Sequence, residues 1–377
     1  MKGGDILIEC LKAQGVRHIF GMPGTQNIQI YDSLLRRGSD TIKHYLVRHE
    51  NAATLMADGY ARSSGEVGVA LTVPGPGASN ASTGLLEAFT DCVPVLLITG
   101  QSDSSLYARD PSKMFHGLNQ MRFFEPITKY CAIAETIADI PVVVENAFQA
   151  MRTGRPGPTM LEFPMDVITG ENGVTIPNRV QRHSKEPAKM DDIQSVIQQL
   201  EQASKPIILV GSAVIHSYAM NELQNLAEKL NAPVAVTRCA KGALNEGHPL
   251  ALQNISGFQA KQAMQVADCT LAIGCRFTSI DTRNWSFEPP RPLIQIDEDP
   301  AEIGREYQCD LGITGDLKSS LQALTDQIET SKNDWDHVLP SIREEFAKQP
   351  RLPILPELRR VLPEDAIVAV DVHSIGY

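Results

Sequence analysis

A glutamate lies at the point where a short apolar segment is followed by a helical pattern. The letters HYLV before Glu50 predict a strand, and the pattern of residues 51–65 predicts a helix. Ligands bind at the carboxyl ends of strands in open parallel sheets, so a carboxylate at such an end is placed to exchange a proton with a ligand. The same carboxylate could instead bind the free N–H groups of the first helical turn. Position alone favours this structural role.

Two turns rich in glycine and proline follow other predicted strands of the same segment. The first is FGMPGT, residues 20–25, and the second is VPGPGASN, residues 73–80. Glycine lets the backbone approach a ligand closely, and the helix N-terminus after the second turn favours negative charge. Neither turn has the GxGxxG or P-loop spacing, and each alone is typical of an ordinary strand-to-helix connection. Together with Glu50, they mark three strand ends suited to a ligand.

The elements around these residues predict an α/β protein. Strand and helix patterns alternate with short connections over residues 1–170 and, in a Rossmann-like order, over residues 191–330. This alternation predicts successive three-layer domains, each a parallel sheet covered by helices on both faces. Residues 171–190 and 331–356 are polar and weakly periodic, which predicts linkers. LPELRRVL predicts a helix and AIVAVDV a strand, so we expect residues 357–377 to begin a third domain that is cut off.

The composition argues against several classes of partner. The 377 residues carry a net charge of −11 with a pI near 5.3, which argues against nucleic acids and anionic membranes. No apolar run reaches membrane-spanning length, and the N-terminus reads as an amphipathic helix rather than a signal peptide. The seven cysteines lack CxxC spacing, which predicts reduced thiols and a cytoplasmic protein.

Taken together, the motifs resemble a known family. RHExxAxxMAxGYAR over residues 48–62, preceded by FGxPG and followed by GPGAxN, is similar to the pyrimidine-binding domain of thiamine-diphosphate-dependent enzymes of the acetolactate synthase group. KPIILVGS, LAEKLNAPVAVT and ADCTLAIGCRF resemble the central domain of that family. The last residues resemble the opening of its diphosphate-binding domain. The resemblance therefore implies a thiamine-diphosphate-binding fold, a Rossmann-like central domain and a truncated third domain.

The resemblance implies a catalytic role for Glu50, as the acid that hydrogen-bonds N1′ of the cofactor's aminopyrimidine ring. This contact favours the imino tautomer, whose nitrogen removes the proton of the thiazolium carbon. The cofactor is the electron sink, and the protein supplies position and electrostatics. The other residues implied to bind the cofactor are Pro23, Gly24, Pro76, Asn80 and His373.

The substrate side departs from the family pattern at one residue. Phe115 and His116 align with a Phe-Gln pair of acetolactate synthases. Related decarboxylases use histidines in this segment as proton donors, so the resemblance implies a catalytic role for His116. A solvated loop histidine without a catalytic role is an equal alternative. Thr25, Gln26 and Phe115 are implied to line the substrate pocket.

The implied cofactors are thiamine diphosphate and Mg²⁺. In the family the metal ligands belong to the third domain, so none is assigned to this chain. Some family members also bind FAD in the central domain, but residues 254–258 lack the glycine- and methionine-rich turn of those members. A structural role for the central domain is therefore favoured, and FAD binding is left open.

The function implied by the resemblance is decarboxylation of a small 2-oxo acid followed by carboligation. One alternative is a simple 2-oxo acid or acyl-CoA decarboxylase of the same family. Another is a non-catalytic subunit that lacks the Mg-diphosphate site. A nicotinamide dehydrogenase is disfavoured, because neither α/β segment has GxGxxG after a strand. Since the family's active site lies between two chains, a homodimer or homotetramer is expected.

Overall fold

The computed structural model describes residues 1–181, 186–329, 333–350 and 352–370. Their contacts divide them into two compact units, the first mainly Met1–Pro187 and the second mainly the residues from Ala188 onwards. The strands are β1 (His18–Gly21), β2 (Lys43–Leu46), β3 (Gly68–Thr72), β4 (Val95–Gln101), β5 (Tyr130–Ile133), β6 (Thr159–Pro164), β7 (Pro206–Val210), β8 (Val234–Val236), β9 (Ala251–Asn254), β10 (Cys269–Ile273), β11 (Leu293–Asp297) and β12 (Leu311–Thr314). The helices are α1 (Gly3–Ala13), α2 (Ile28–Ser33), α3 (Glu50–Ser64), α4 (Pro76–Thr90), α5 (Gln120–Phe124), α6 (Asp139–Arg152), α7 (Met165–Thr169), α8 (Met190–Gln202), α9 (Ala213–His216), α10 (Met220–Leu230), α11 (Phe258–Val266), α12 (Leu317–Gln327), α13 (Trp335–Ala347) and α14 (Ile354–Val361).

The first unit is a parallel sheet with helices on both faces. Its strand order is β2-β1-β3-β4-β6-β5, and every pair is parallel. Successive residues of β4 point to opposite faces, so Leu96 and Ile98 join one apolar cluster while Val95 and Leu97 join another. Because β4 is apolar on both faces, it can pair only in a sheet that is covered on both sides. The predicted three-layer α/β class is confirmed.

The topology brings the ends of the chemically interesting strands together. In the order β2-β1-β3-β4, the four strands end at Leu46, Gly21, Thr72 and Gln101. Parallel neighbours end at the same edge of a sheet, so the connections that follow these strands meet there. These connections lead to Glu50, to the two glycine-proline turns and to the segment that carries His116.

The second unit repeats this architecture with the order β12-β11-β10-β7-β8-β9. Its core includes Trp335, which is fully buried and donates a hydrogen bond from Nε1 to the carbonyl oxygen of Pro206 at 2.8 Å. This tryptophan begins α13, so the segment predicted as a second linker, residues 331–356, contains a helix packed into the core. Its buried residues Trp335, Leu339 and Ile342 recur at helical spacing and form the apolar face of α13.

The end of the described chain differs from the sequence prediction. The letters AIVAVDV predict a strand, but residues 366–370 form none, and Ile367 is 98% exposed. A strand needs a neighbour that pairs with its backbone groups, and the described residues offer none here. Within the described ranges, no helix has the length and apolar character needed to cross a bilayer.

Candidate active site

Glu50 is the first residue of α3 and is joined to β2 by residues 47–49. The cap of α3 is His49, whose Nδ1 accepts a hydrogen bond from the N–H of Asn51 at 3.1 Å. Glu50 is 8% exposed, and its Oε2 accepts a hydrogen bond from Nδ2 of Asn80 at 3.1 Å. In the described part of the chain, Oε1 of Glu50 has no hydrogen-bond partner. The histidine therefore caps the helix, and the carboxylate keeps one oxygen for a ligand.

The two glycine-proline turns meet at Val73, beside this carboxylate. A Cβ on Gly77 would lie 2.5 Å from Cγ2 of Val73 and 3.2 Å from Oε1 of Glu50. A Cβ on Gly24 would lie 2.4 Å from Cγ1 of the same valine. Such distances are too short for real side chains, so both glycines are required for this close packing. The valine was not predicted as a site residue, yet it joins both turns.

His116, in the segment after β4, contacts the second turn and Gln26, the residue that follows the first turn. A Cβ on Gly75, whose φ is +57°, would lie 2.4 Å from the carbonyl oxygen of His116. Nδ1 of His116 lies 3.2 Å from Oε1 of Gln26. The ring of Phe115 stacks on the imidazole with centroids 3.8 Å apart. The structure therefore brings His116 to the turn that also faces Glu50.

The side chain of Asn27 holds the first turn through two hydrogen bonds to its backbone. Oδ1 of Asn27 accepts a hydrogen bond from the N–H of Gly24 at 2.7 Å, and its Nδ2 donates to the carbonyl oxygen of Met22 at 3.1 Å. Asn27 is only 1% exposed. The backbone around Gly24 and Gln26 is therefore fixed before any ligand arrives.

The other predicted residues lie at the open side of this edge. Pro23, Thr25, Pro76 and Asn80 are exposed, and Phe115 is 69% exposed. These groups can contact a ligand without rearrangement of the core. The predicted diphosphate contact, His373, lies outside the described residues.

A second acid, missed by the sequence analysis, lies within β6 of the same sheet. Glu162 is 2% exposed, and its Oε1 accepts hydrogen bonds from Nε2 of Gln101 at 3.1 Å and from the hydroxyl of Tyr107 at 3.0 Å. Its Oε2 accepts one from Nε2 of Gln120 at 2.8 Å, whose Oε1 in turn accepts from Thr99 Oγ1 at 2.9 Å. Both carboxylate oxygens are thus satisfied by the protein.

This network anchors the segment that carries His116. Gln101 ends β4 and Gln120 begins α5, so residues 102–119 are tied to Glu162 at both ends, and Tyr107 ties their middle. Burial raises the pKa of Glu162 above its ordinary value, and the hydrogen bonds from its neighbours oppose the shift only in part. The sequence signal for this group was an acid inside the otherwise apolar strand TMLEFP.

In the central unit the strand order reverses between β7 and β10, the position at which open parallel sheets bind ligands. There the two connections pack backbone to backbone, because a Cβ on Gly211 would lie 1.9 Å from the carbonyl oxygen of Gly274. Over the described residues, no group of three His, Cys, Asp or Glu side chains could hold a metal ion.

Comparisons with known proteins agree with this geometry. Residues 1–123 match the thiamine pyrophosphate enzyme N-terminal TPP binding domain, and residues 193–324 match the thiamine pyrophosphate enzyme central domain. The chain is 36% identical over 344 residues to an acetolactate synthase large subunit of Buchnera aphidicola subsp. Schizaphis graminum, covering 88% of this chain and 59% of the relative. It is 39% identical over 334 residues to a probable acetolactate synthase large subunit of Methanocaldococcus jannaschii, covering 86% and 56%.

A third relative covers nearly all of this chain. It is an acetolactate synthase large subunit of Lactococcus lactis subsp. lactis, 33% identical over 385 residues, which covers 99% of this chain and 65% of the relative. The chain thus spans between 56% and 65% of the length of these three relatives. The two matched domains contain the Glu50 site and the second sheet respectively. The chain belongs to the thiamine pyrophosphate enzyme family, of which it carries the N-terminal TPP-binding domain and the central domain.

Proposed function

We propose that this chain provides the pyrimidine-binding part of a thiamine-diphosphate-dependent enzyme that decarboxylates a small 2-oxo acid and joins the remaining acyl group to a second carbonyl compound. The observation that carries the proposal is the carboxylate of Glu50. One of its oxygens is held by Asn80, and the other faces Gly77 without a protein partner among the described residues. The names of the relatives support the same activity.

The residues at this edge fit an aminopyrimidine ring. The ring presents a nitrogen that needs an acid as hydrogen-bond partner, and Glu50 offers a carboxylate oxygen beside Gly77. The absence of a Cβ at Gly75 and Gly77 lets this turn pack closely against His116 and Val73, so the backbone around the carboxylate is held in place. Pro76 and Asn80 lie near this oxygen at the start of α4, and Pro23 and Gly24 lie in the neighbouring turn.

When bound, thiamine diphosphate would supply the nucleophilic carbon and the electron sink that decarboxylation of a 2-oxo acid requires, and Glu50, Pro76 and Asn80 would hold its pyrimidine ring. The chain's own residues hold and move protons around it. Glu50 shares a proton with the ring nitrogen, and Asn80 orients the carboxylate. His116 acts on the substrate side, where Thr25, Gln26 and Phe115 border the pocket.

We propose that the diphosphate and Mg²⁺ are held outside the two described units. Two phosphates buried without metal or donors would be costly. We therefore expect weak binding of thiamine diphosphate to this chain alone.

The central unit serves, in this proposal, as a structural domain that does not require FAD. The direct backbone contact between Gly211 and Gly274 at these strand ends supports this role, because the two connections bind each other there. The absorption spectrum of the purified complete protein tests it. Visible absorbance from one bound flavin per chain would contradict the proposal.

A second copy of the chain is the proposed partner. Leu55 and Met56 on α3 are 44% and 41% exposed, and Leu86 and Phe89 on α4 are 48% and 39% exposed. These two helices pack on each other, and both expose large apolar side chains that a second copy could cover. We expect a homodimer or homotetramer, and Leu86→Glu should shift the mass measured by light scattering towards the monomer. Cytoplasmic location stays a prediction from the sequence.

The activity is tested with the complete protein, thiamine diphosphate, Mg²⁺ and pyruvate. We expect carbon dioxide together with a coupled five-carbon hydroxy-oxo acid, detected by mass spectrometry, and neither without the cofactor. Carbon dioxide with acetaldehyde and no coupled product would identify a simple decarboxylase. Binding of the cofactor by calorimetry without turnover of pyruvate or other 2-oxo acids would identify a non-catalytic subunit. Absence of cofactor binding to the complete protein would overturn the proposal.

A further inference from the structure

We infer that Gln26 fixes His116 in the tautomer that carries its proton on Nδ1. Nε2 is then the nitrogen that accepts a proton from the substrate or, once protonated, delivers one to a substrate oxygen. The inference deepens the proposed function, since it concerns proton transfer at the same site, but the tautomer itself can be measured without turnover. Gln26 is in this view a positioning residue, and His116 is the group that meets the substrate.

The amide of Gln26 is presented rigidly. Gln26 is 7% exposed and lies between the first turn and Asn27, whose side chain hydrogen-bonds the backbone of that turn. Its backbone is pressed against β4, because a Cβ on Gly100 would lie 2.1 Å from the carbonyl oxygen of Gln26. A side chain held this way loses little further freedom when it forms a hydrogen bond.

The imidazole is held on the other sides as well. Phe115 stacks on the ring with an interplanar angle of 21°. The backbone of His116 has a φ of +58°, an uncommon value for a residue other than glycine, and its carbonyl oxygen packs on Gly75. In the described part of the chain, Nε2 of His116 has no hydrogen-bond partner. Of the two ring nitrogens, Nδ1 is the one that the described residues engage.

The chemistry of the contact decides which nitrogen is protonated. The amide oxygen of Gln26 can only accept a hydrogen bond, so Nδ1 of His116, 3.2 Å away, must donate. A neutral imidazole carries one proton, so Nε2 keeps its lone pair. The glutamine that aligns with His116 in the acetolactate synthase pattern could neither take up nor release a proton. The pair of Gln26 and His116 therefore adds an acid–base function to this edge.

Nuclear magnetic resonance of ¹⁵N-histidine-labelled protein tests the tautomer directly. His116→Gln identifies the His116 signals by their loss. Above the titration of the ring, we expect the wild type to show a protonated Nδ1 and an unprotonated Nε2. Gln26→Leu should remove the preference and shift the signals towards the Nε2-protonated form, whereas Gln29→Leu, an exposed residue of α2, should leave them unchanged. A wild-type ring protonated on Nε2, or an unchanged tautomer in Gln26→Leu, would overturn the inference.

Gln26→Glu provides a second measurement, because it strengthens the contact at Nδ1 of His116 that Gln26→Leu removes. A carboxylate beside Nδ1–H favours the charged imidazole, so the titration midpoint of His116 should rise by roughly one pH unit or more. In the complete enzyme, we expect Gln26→Leu to lower kcat roughly tenfold or more and to flatten the pH profile. If the wild-type protein shows the expected tautomer but turns over no 2-oxo acid, the result would count against the proposed function and not against the Gln26–His116 pair. An unmoved midpoint in Gln26→Glu would count against the pair itself.

Discussion

Glu50 and Glu162 are two buried acids of the same parallel sheet, and they differ in what surrounds them. Glu50 follows β2 with one carboxylate oxygen held by Asn80 and the other directed at the glycine turn. Glu162 lies within β6, and its two oxygens accept hydrogen bonds from three side chains. The first acid is incomplete without a ligand, and the second is complete without one.

In our proposal, this difference separates a group that acts on a ligand, Glu50, from a group that holds the protein in place, Glu162. A buried carboxylate with a spare oxygen loses solvation and regains it only when a ligand binds. A carboxylate whose two oxygens already accept three hydrogen bonds from the protein gains little from a ligand, but its loss leaves several donors unsatisfied. We therefore expect Glu50 variants to lose activity and Glu162 variants to lose stability.

The largest effect is expected for Glu50→Gln in the complete enzyme. The amide keeps the shape and the contact with Asn80 but cannot share a proton with the ring nitrogen. The decarboxylation rate should fall by roughly 10²–10⁴, while the midpoint of urea unfolding should change little. Glu145→Gln, an exposed acid on α6, is the matched control and should keep the full rate. A Glu50→Gln enzyme with wild-type turnover would remove Glu50 from the reaction.

The next largest effect is expected for Glu162→Leu. The substitution leaves Nε2 of Gln101 and Nε2 of Gln120 buried without their acceptor, and it releases Tyr107 to solvent. We expect the free energy of unfolding to fall by roughly 2–5 kcal/mol, measured by urea titration. Glu125→Leu, an exposed acid beside α5, should change it by less than about 0.5 kcal/mol. If both variants unfold at the same urea concentration, the network does not contribute to stability.

The pH dependence of stability sharpens the comparison further. Burial raises the pKa of Glu162 above the ordinary 4.5. Between pH 4.5 and the raised pKa, the folded protein therefore keeps a proton that the unfolded chain has lost. Stability of the wild type relative to Glu162→Gln should therefore fall as pH rises through this window and stay constant above it. Urea titrations of both proteins over a series of pH values measure the difference. If the stability of the wild type relative to Glu162→Gln instead rises with pH, the pKa of Glu162 is not raised in the folded protein.

The sequence was sufficient to predict that the residues around Glu50 lie close together. Glu50, Gly77 and Asn80 lie in continuous motifs at strand ends, and the parallel order of four strands then brings those ends to one edge. The Glu162 network could not be predicted in the same way. Its members are separated along the chain, and a glutamine such as Gln120 reads as a surface residue until packing buries it.

The fold shows the same division between local and tertiary signals. Both three-layer units follow from their alternating strand and helix patterns. Helix α13 was missed because Pro340, a residue that usually breaks a helix, lies inside it. Its stability comes from the burial of Trp335 against the second core, a contact distant in sequence.

The smallest effect is expected for Asn80→Ala. It removes the hydrogen bond that Asn80 donates to Glu50, worth about 1 kcal/mol, so turnover should fall roughly five- to tenfold. Thr83→Ala, an exposed residue of the same helix, is the matched control and should leave turnover unchanged. Because Asn80 acts through the carboxylate, its removal should matter much less once Glu50 is already glutamine. Kinetics of the Glu50→Gln/Asn80→Ala double variant test this coupling. Losses that simply add would mean that Asn80 contacts the cofactor on its own, independently of the carboxylate that it orients.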